Sequence, residues 1–265
     1  MQIISWNVAS VRARLPLIRD LLVQKNPDIL FLQEIKATNE TFPFDYFNQL
    51  GYRSVISGQK GYNGVAVLSK LPIVEPLDEL PTLPVADGEQ KESRFAQCIY
   101  KGIRLISVYV PNGNPPEKNP DDTSRLIYKL KWMEALTSYL KNLSALKAPF
   151  IIGGDFNVIE KDADVYNPDV YRTNALMLPS VREAFQRLNA LPVTNTLRHL
   201  NKEAHIYSFW DFQAGAWPKN NGMLLDHIFV SNPLEQSLTA SGVYKDFRAK
   251  EKPSDHAPVF CHLKL

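Results

Sequence analysis

The sequence is short of several things, and each shortage closes off a class of protein. Only two cysteines, Cys98 and Cys261, occur in 265 residues, and they stand far apart. Two scattered thiols make neither a disulfide framework nor the paired spacing of a zinc site, so they read as reduced core residues. No window approaches the roughly 18 consecutive apolar residues that a membrane span needs. The opening residues Met1-Gln2-Ile3-Ile4-Ser5-Trp6-Asn7 lack the basic leader and apolar run of a secretory signal. Neither internal repeats nor low-complexity linkers interrupt the chain. An excess of one charge is missing too: 30 Lys and Arg face 28 Asp and Glu, a net charge of +2. A nucleic-acid enzyme with that balance must gather its positive charge on one face and offset it with acids elsewhere. The expectation is a soluble, cytoplasmic protein without a membrane partner.

What is present is an ordinary globular balance, 45% hydrophobic and 22% charged. The length suits one large α/β domain or two small ones, and the even spacing of short β runs and helical stretches favours one, over 1–265. Strands are expected over 3–8, 29–33, 52–56 and 64–69. Pro16, then Leu17, Ile18, Leu21 and Leu22, predict a helix over 16–25 that Asn26-Pro27 stops. A hairpin is expected over 96–100 and 103–109 with Lys101-Gly102 as its turn. Proline and asparagine make 111–120 a loop. Asp122 then caps a helix reaching about 143, with Ile127, Leu130, Met133, Leu136, Leu140 and Leu143 as its apolar stripe. A short buried strand over 150–152 ends at Gly153-Gly154, a weaker helix covers 181–188, and strands follow over 226–230 and 257–263. The strand after Asp226 is apolar on both faces, which places sheets inside and helices outside.

Several of these β runs end in acids or amides, Asn7, Gln33-Glu34, Asp155 and Asn157, and another ends in the phenol of Tyr109, while Ser254-Asp255-His256 immediately precedes the last strand. Singly, each has an ordinary reading. An Asp-x-Asn after a strand is a turn that satisfies backbone donors, and a single histidine is a packed residue. His199, His205, His227 and His262 take that ordinary reading. Gathered at one edge, the group becomes a hard-oxygen centre of the kind Mg²⁺ prefers, without the Cys and multiple His of a zinc site.

The spacing carries the group further. S-W-N-V at 5–8, L-Q-E-I-K at 32–36, G-x-x-G-Y-N-G-V-A-V-L-S at 58–69, Y-V-P-N-G at 109–113, G-G-D-F-N-V at 153–158, L-D-H-I-F-V-S at 225–231 and P-S-D-H-A-P-V at 253–259 span nearly the whole chain. In that order they resemble the exonuclease III and abasic (AP) endonuclease family of the endonuclease/exonuclease/phosphatase superfamily. The resemblance implies a four-layered α/β sandwich, two central mixed sheets flanked by helices, of the deoxyribonuclease I-like kind. It implies an Mg²⁺-dependent (Mn²⁺ as a substitute) DNA repair phosphodiesterase, acting as a monomer on double-stranded DNA with abasic sites or 3′-blocked or recessed ends. By the same resemblance Glu34 matches the main metal carboxylate, with Asn7 beside it and Asp255 on the metal side. Asp155 matches the residue that orients or deprotonates the attacking water, and Asn157 the amide that positions water and phosphate. His256 matches the histidine on the scissile phosphate, Asp226 the carboxylate orienting it, and Tyr109 and Asn112 groups touching phosphate.

For DNA contacts the resemblance points to Lys60 and Tyr62 in the loop before the fourth strand, and to Phe209, Trp210 and Leu225 as the wall of a pocket for a flipped abasic nucleotide. Arg12, Arg14 and Lys36 are further backbone candidates, and the loop over 211–221 is expected against the groove. Ala9, Met223 and Leu224 depart from residues common in relatives and bear on the balance between abasic incision, 3′-end cleaning and exonuclease action. Two other readings compete: a superfamily enzyme acting on lipid, inositol or RNA phosphates, and a DNA-binding module without catalysis. The segments around Tyr62 and Trp210 and the completeness of the Glu34, Asp155, Asn157, Asp226 and His256 set weigh against them.

Overall fold

The computed structural model describes residues 1–83 and 92–265. In chain order its strands are β1 (Gln2–Asn7), β2 (Ile29–Gln33), β3 (Arg53–Ser57), β4 (Val65–Ser69), β5 (Val74–Leu77), β6 (Phe95–Tyr100), β7 (Ile103–Tyr109), β8 (Phe150–Asp155), β9 (Val193–Asn195), β10 (Asp226–Ser231), β11 (Leu238–Val243) and β12 (Val259–Leu263). Among the described residues these make two six-stranded sheets, ordered β11-β12-β1-β2-β4-β3 and β5-β6-β7-β8-β10-β9. In each, one parallel pair sits among antiparallel neighbours: β1 with β2, and β7 with β8.

Period-two alternation decides which side chain faces which layer. Ile3, Phe31, Val65, Val67, Leu105, Ile151 and Ile228 point between the sheets and form the central core. Ile4, Trp6, Leu30 and Leu32 point outward to helix α1 (Leu15–Lys25) and α2 (Phe44–Gln49). Ile106, Val108, Ile152 and Phe229 point to the other outside, under α3 (Ser124–Ala145) and α5 (Pro179–Asn189). Helix, sheet, sheet, helix is the four-layered sandwich expected from the sequence. The short helices α4 (Pro168–Tyr171), α6 (Thr196–Leu200) and α7 (Asn232–Glu235) lie in connections. No described helix is long and apolar enough to cross a membrane.

Local chemistry accounts for the element ends. α1 begins with Pro16 in its first turn, and at its end Asn26 adopts φ 50° while its N–H reaches Leu22 O. Lys25 in the last turn meets the negative end of the helix dipole. Lys101 and Gly102, at φ 45° and 79°, supply the two left-handed residues that a two-residue hairpin turn requires. Strand β8 runs through Gly153-Gly154 to Asp155 rather than ending at Ile152 as expected. Gly154 makes that possible, because a Cβ there would lie 2.0 Å from Val108 O on the neighbouring strand.

The stripe expected on α3 needs correction at its start. Ile127 is 50% exposed, and the buried face is Lys129, Trp132, Met133, Leu136, Leu140 and Leu143. Steps of three residues fall about 60° short of a full turn, so residues 127 and 136 lie on opposite sides of the helix.

A buried histidine sits in the aromatic core. His227 on β10 packs against Phe156, Phe185 and Phe229, and Asn195 Nδ2 donates to its Nδ1 at 3.1 Å. Burial, with Arg198 adding to it, pushes His227 down to about 3 from 6.5. The unfolded chain therefore binds a proton at higher pH than the folded one, and stability present above pH 6.5 is lost as pH falls toward 3. Thermal or urea unfolding across that window should show a loss on the order of a few kcal/mol, since each pKa unit is worth about 1.4 kcal/mol. His227→Gln, which cannot titrate, should flatten that slope. Parallel curves for the two proteins would remove His227 from the explanation.

Candidate active site

The strand register brings the polar ends together. Asn7 pairs with Gln33 at the end of the β1–β2 pair, next to Glu34. On the other sheet Asp155 pairs with Tyr109 on one side and Asp226 on the other. His256 precedes β12, the other neighbour of β1, and is held there by its backbone. Trp6 Nε1 donates to His256 O at 2.9 Å, Ser254 Oγ donates to Asn7 O at 2.6 Å, and Phe209 forms a β-bridge with His256. Beneath this floor, Gln33 Nε2 donates to Ser5 Oγ and Ser107 Oγ at 3.2 and 3.1 Å, a buried polar link between the sheets.

Two hydrogen-bonded groups face one another across the site. In the first, Asn7 Nδ2 and the Tyr109 hydroxyl each donate to Glu34 Oε1 at 3.0 Å, and Lys36 Nζ lies 2.9 Å from Oε2. Burial alone would raise the Glu34 pKa, but the Asn7 hydrogen bond and the Lys36 charge outweigh it and hold the carboxyl below its usual range. Burial, with Glu34 and Asp155 beside it, keeps Tyr109 neutral. Glu34 itself sits at φ 49°, a left-handed conformation that costs a non-glycine residue about 1 kcal/mol or more and clusters at functional sites.

In the second group, His256 Nδ1 donates to Asp226 Oδ2 at 2.8 Å, and its Nε2 lies 3.6 Å from Asp155 Oδ2. Burial favours the neutral imidazole, yet Asp226 and Asp155 together overcome it and raise His256 to about 10. Asp155 moves upward as well, because its burial outweighs the attraction of His256. Its Oδ2 accepts from Asn7 at 3.0 Å, which ties the two groups together, and its Oδ1 accepts from Asn157 N at 2.9 Å. Asn157, at φ 50°, donates through Nδ2 to Val110 O at 2.9 Å and accepts from Asn112 Nδ2 at 3.3 Å.

The pocket over these groups measures about 290 Å³. Glu34, Tyr109, Asn112, Asp155, Asn157, Asp255 and His256 form its polar part, and Phe209, Met223, Leu225 and Leu176 its apolar wall. Thus nearly all the expected site residues converge. Trp210, expected in that wall, does not: its side chain is 0% exposed, packed with Trp217, Tyr207 and Ala257 behind the pocket, and Nε1 donates to Asn220 Oδ1. Alternation explains the exchange, since Phe209 and Trp210 are neighbours on one extended segment and point to opposite sides. Lys60 and Tyr62 are exposed, Tyr62 at 51%, and lie outside the pocket. Their loop is tied to the Glu34 turn by Ile35 N to Gly64 O and Lys36 N to Asn63 O, at 3.1 and 3.0 Å.

Sequence reasoning missed Tyr171 and Asn174, which line the pocket, and Ser208. The buried Ser208 hydroxyl donates to Asp226 Oδ2 at 2.6 Å and accepts from the N–H groups of Leu225 and Asp226, both at 3.1 Å. It fixes the carboxylate that holds His256. Its place directly before Phe209-Trp210 was the available signal.

Asp155, Asp226 and His256 carry ligand atoms within 4.8 Å of one another, a group that could hold a metal ion. The Asp226–His256 hydrogen bond already uses the facing atoms of that pair, however. On the opposite side the Glu34 carboxylate, steadied by Asn7 Nδ2 and held in its charged form, suits a hard divalent cation better.

A four-layered sandwich with an acidic, amide-rich centre at the ends of its two parallel strand pairs defines a class, and the comparisons agree with it. The chain belongs to the endonuclease/exonuclease/phosphatase family, whose model matches residues 4–256. It is 32% identical to exodeoxyribonuclease III of Haemophilus influenzae over the whole of both chains. Among solved structures it resembles the 3′ phosphatase NExo from Neisseria bound to product DNA hairpin, with TM-score 0.93 and 34% identity over all of both chains. An AP endonuclease from Archaeoglobus fulgidus matches with TM-score 0.91 and 31% identity, again over all of both chains.

Proposed function

We propose that this chain is a DNA repair phosphodiesterase, one catalytic domain over 1–265, which hydrolyses the backbone 5′ to abasic sites in duplex DNA and also clears 3′ ends. The observation that carries this reading is the pairing of a depressed carboxylate at Glu34 with the facing Asp155–His256–Asp226 array across one small pocket. Full-length similarity to an exodeoxyribonuclease III, a 3′ phosphatase and an AP endonuclease supports DNA as the substrate.

The chemistry follows from the side chains. Glu34, Asn7 and Asp255 would hold Mg²⁺, which when bound supplies Lewis acidity and neutralises phosphate charge. His256, held charged by Asp226, presents Nε2–H to a non-bridging phosphate oxygen, where the transition state gathers charge. Asp155, raised by burial, is suited to take a proton from water, and Asn157 and Asn112 position that water and the phosphate. Water oxygen bonds to phosphorus, the bond from phosphorus to the 3′-oxygen breaks, and the leaving oxygen is protonated. The products are a 3′-hydroxyl and a 5′-phosphate on the abasic sugar. Phe209, Met223 and Leu225 give that baseless sugar an apolar wall. Lys60 and Tyr62 flank the site as backbone contacts that read no sequence.

The test is a labelled duplex with one abasic analogue, run beside a matched 3′-recessed duplex, with Mg²⁺ or with EDTA. Mg²⁺-dependent cutting on the 5′ side of the lesion is expected, abolished by EDTA. Intact DNA in both reactions, with folded protein, would refute the reading.

A further inference from the structure

A lysine sits where α3 should be apolar. Lys129 is 0% exposed on the helix face otherwise formed by Trp132, Met133 and Leu136. Among the described residues its ammonium meets three backbone carbonyls and no carboxylate: Asn157 O at 2.6 Å, and Asn112 O and Ala175 O at 3.0 Å each. An ammonium has three N–H donors, so the set is complete. The three carbonyls belong to three different loops, one after β7, one after β8 and one before α5.

Each of those loops delivers a side chain to the pocket: Asn112, Asn157, and the Asn174–Leu176 pair flanking Ala175. From the geometry we infer that Lys129 is a positioning residue for phosphodiester hydrolysis, a built-in cation that sets the aim of the Asn112 and Asn157 amides from behind the pocket. The inference rests on the functional reading above and names a residue that never touches DNA.

Physical chemistry supports it in three ways. A buried ammonium without an ion-pair partner is costly, and burial pushes Lys129 down to about 7 against the opposing pull of Asp155. A methionine would fill the same space without that cost, so packing alone does not account for the lysine. The surroundings are also shaped for its stem. Gly113, at φ 85°, lies against it, and a Cβ there would stand 2.6 Å from Lys129 Cδ. Finally, the loops are cross-braced: Asn114 Oδ1 accepts from Ala175 N at 2.9 Å, while its Nδ2 donates to Asn112 Oδ1 at 2.7 Å. A carbonyl that loses Lys129 turns its peptide plane, and the amide side chain beside it turns with it.

The experiment measures kcat, KM, Mg²⁺ half-saturation and thermal midpoint on the abasic duplex for wild type and Lys129→Met. The expected kcat loss approaches 10²-fold, the scale of an ångström's misplacement in a site. KM and Mg²⁺ half-saturation should stay within about twofold, because Glu34, Asn7 and Asp255 are untouched. A merely structural lysine would lower the midpoint and leave the kcat of the folded enzyme alone, and that result would overturn the inference. Should Lys129→Met not fold, Lys129→Gln decides: its amide has two N–H donors and cannot serve all three carbonyls, and a fall in kcat in the same direction is expected. A kcat equal to wild type would again overturn it. Failure of the wild type to cut the probe is a different result, which refutes the functional reading.

Discussion

Asp155→Asn should lower single-turnover incision of an abasic duplex by about 10³-fold, within the 10²–10⁴ range of a positioned general base. The substitution keeps the size of the side chain and can keep the 2.9 Å bond from Asn157 N. It removes the one property the reaction needs, an oxygen that can take a proton from water. Burial has already raised the Asp155 pKa, so the carboxylate is basic enough to act near neutrality. DNA affinity, measured by equilibrium binding, should change little, since Lys60 and Tyr62 are unaltered and His256 keeps Asp226, the strongest of its charged partners. Incision within about tenfold of wild type would mean that another group activates the water.

The second large effect is expected at Asp226→Asn, which reaches DNA only through His256. Asp226 Oδ2 takes hydrogen bonds from His256 Nδ1 and Ser208 Oγ, and its charge opposes the burial that would otherwise neutralise the imidazole. Without it the His256 pKa falls, so the imidazolium is lost at lower pH than in the wild type. Turnover should drop by about 10²–10³, the cost of losing one preorganised donor to a developing oxyanion. The alkaline limb of the pH–rate profile should move to lower pH. Asn at 226 with an unmoved alkaline limb would show that His256 does not act as the charged form.

Much of this site was legible in the sequence because the motifs at its strand ends resemble those of a known family. The apolar runs before Asn7, Glu34, Tyr109 and Asp155 fixed where each side chain leaves its sheet, and the parallel pairs put those ends on one edge. What stayed hidden depends on contacts distant in sequence. Ser208 acts on Asp226 eighteen residues away, and Lys129 reaches loops that its own helix gives no reason to expect. The family resemblance puts Trp210 in the pocket wall with Phe209, and only the alternation of a segment without regular strand patterning separates them. The missed strands have a common cause as well. β5, β9 and β11 lie at or beside sheet edges with partly exposed sequences such as Val74-Glu75-Pro76-Leu77, which lack the apolar runs that marked β1, β2 and β8.

Water, activated in this pocket, should open the phosphodiester. Incision of an abasic duplex in heavy-oxygen water, followed by mass spectrometry of both fragments, tests it directly. A plain 3′-hydroxyl on one fragment and one solvent oxygen in the 5′-phosphate of the other are expected, in Mg²⁺ and not in EDTA. Fragments whose new phosphate carries no solvent oxygen, or a 3′ end bearing an unsaturated sugar remnant, would contradict it.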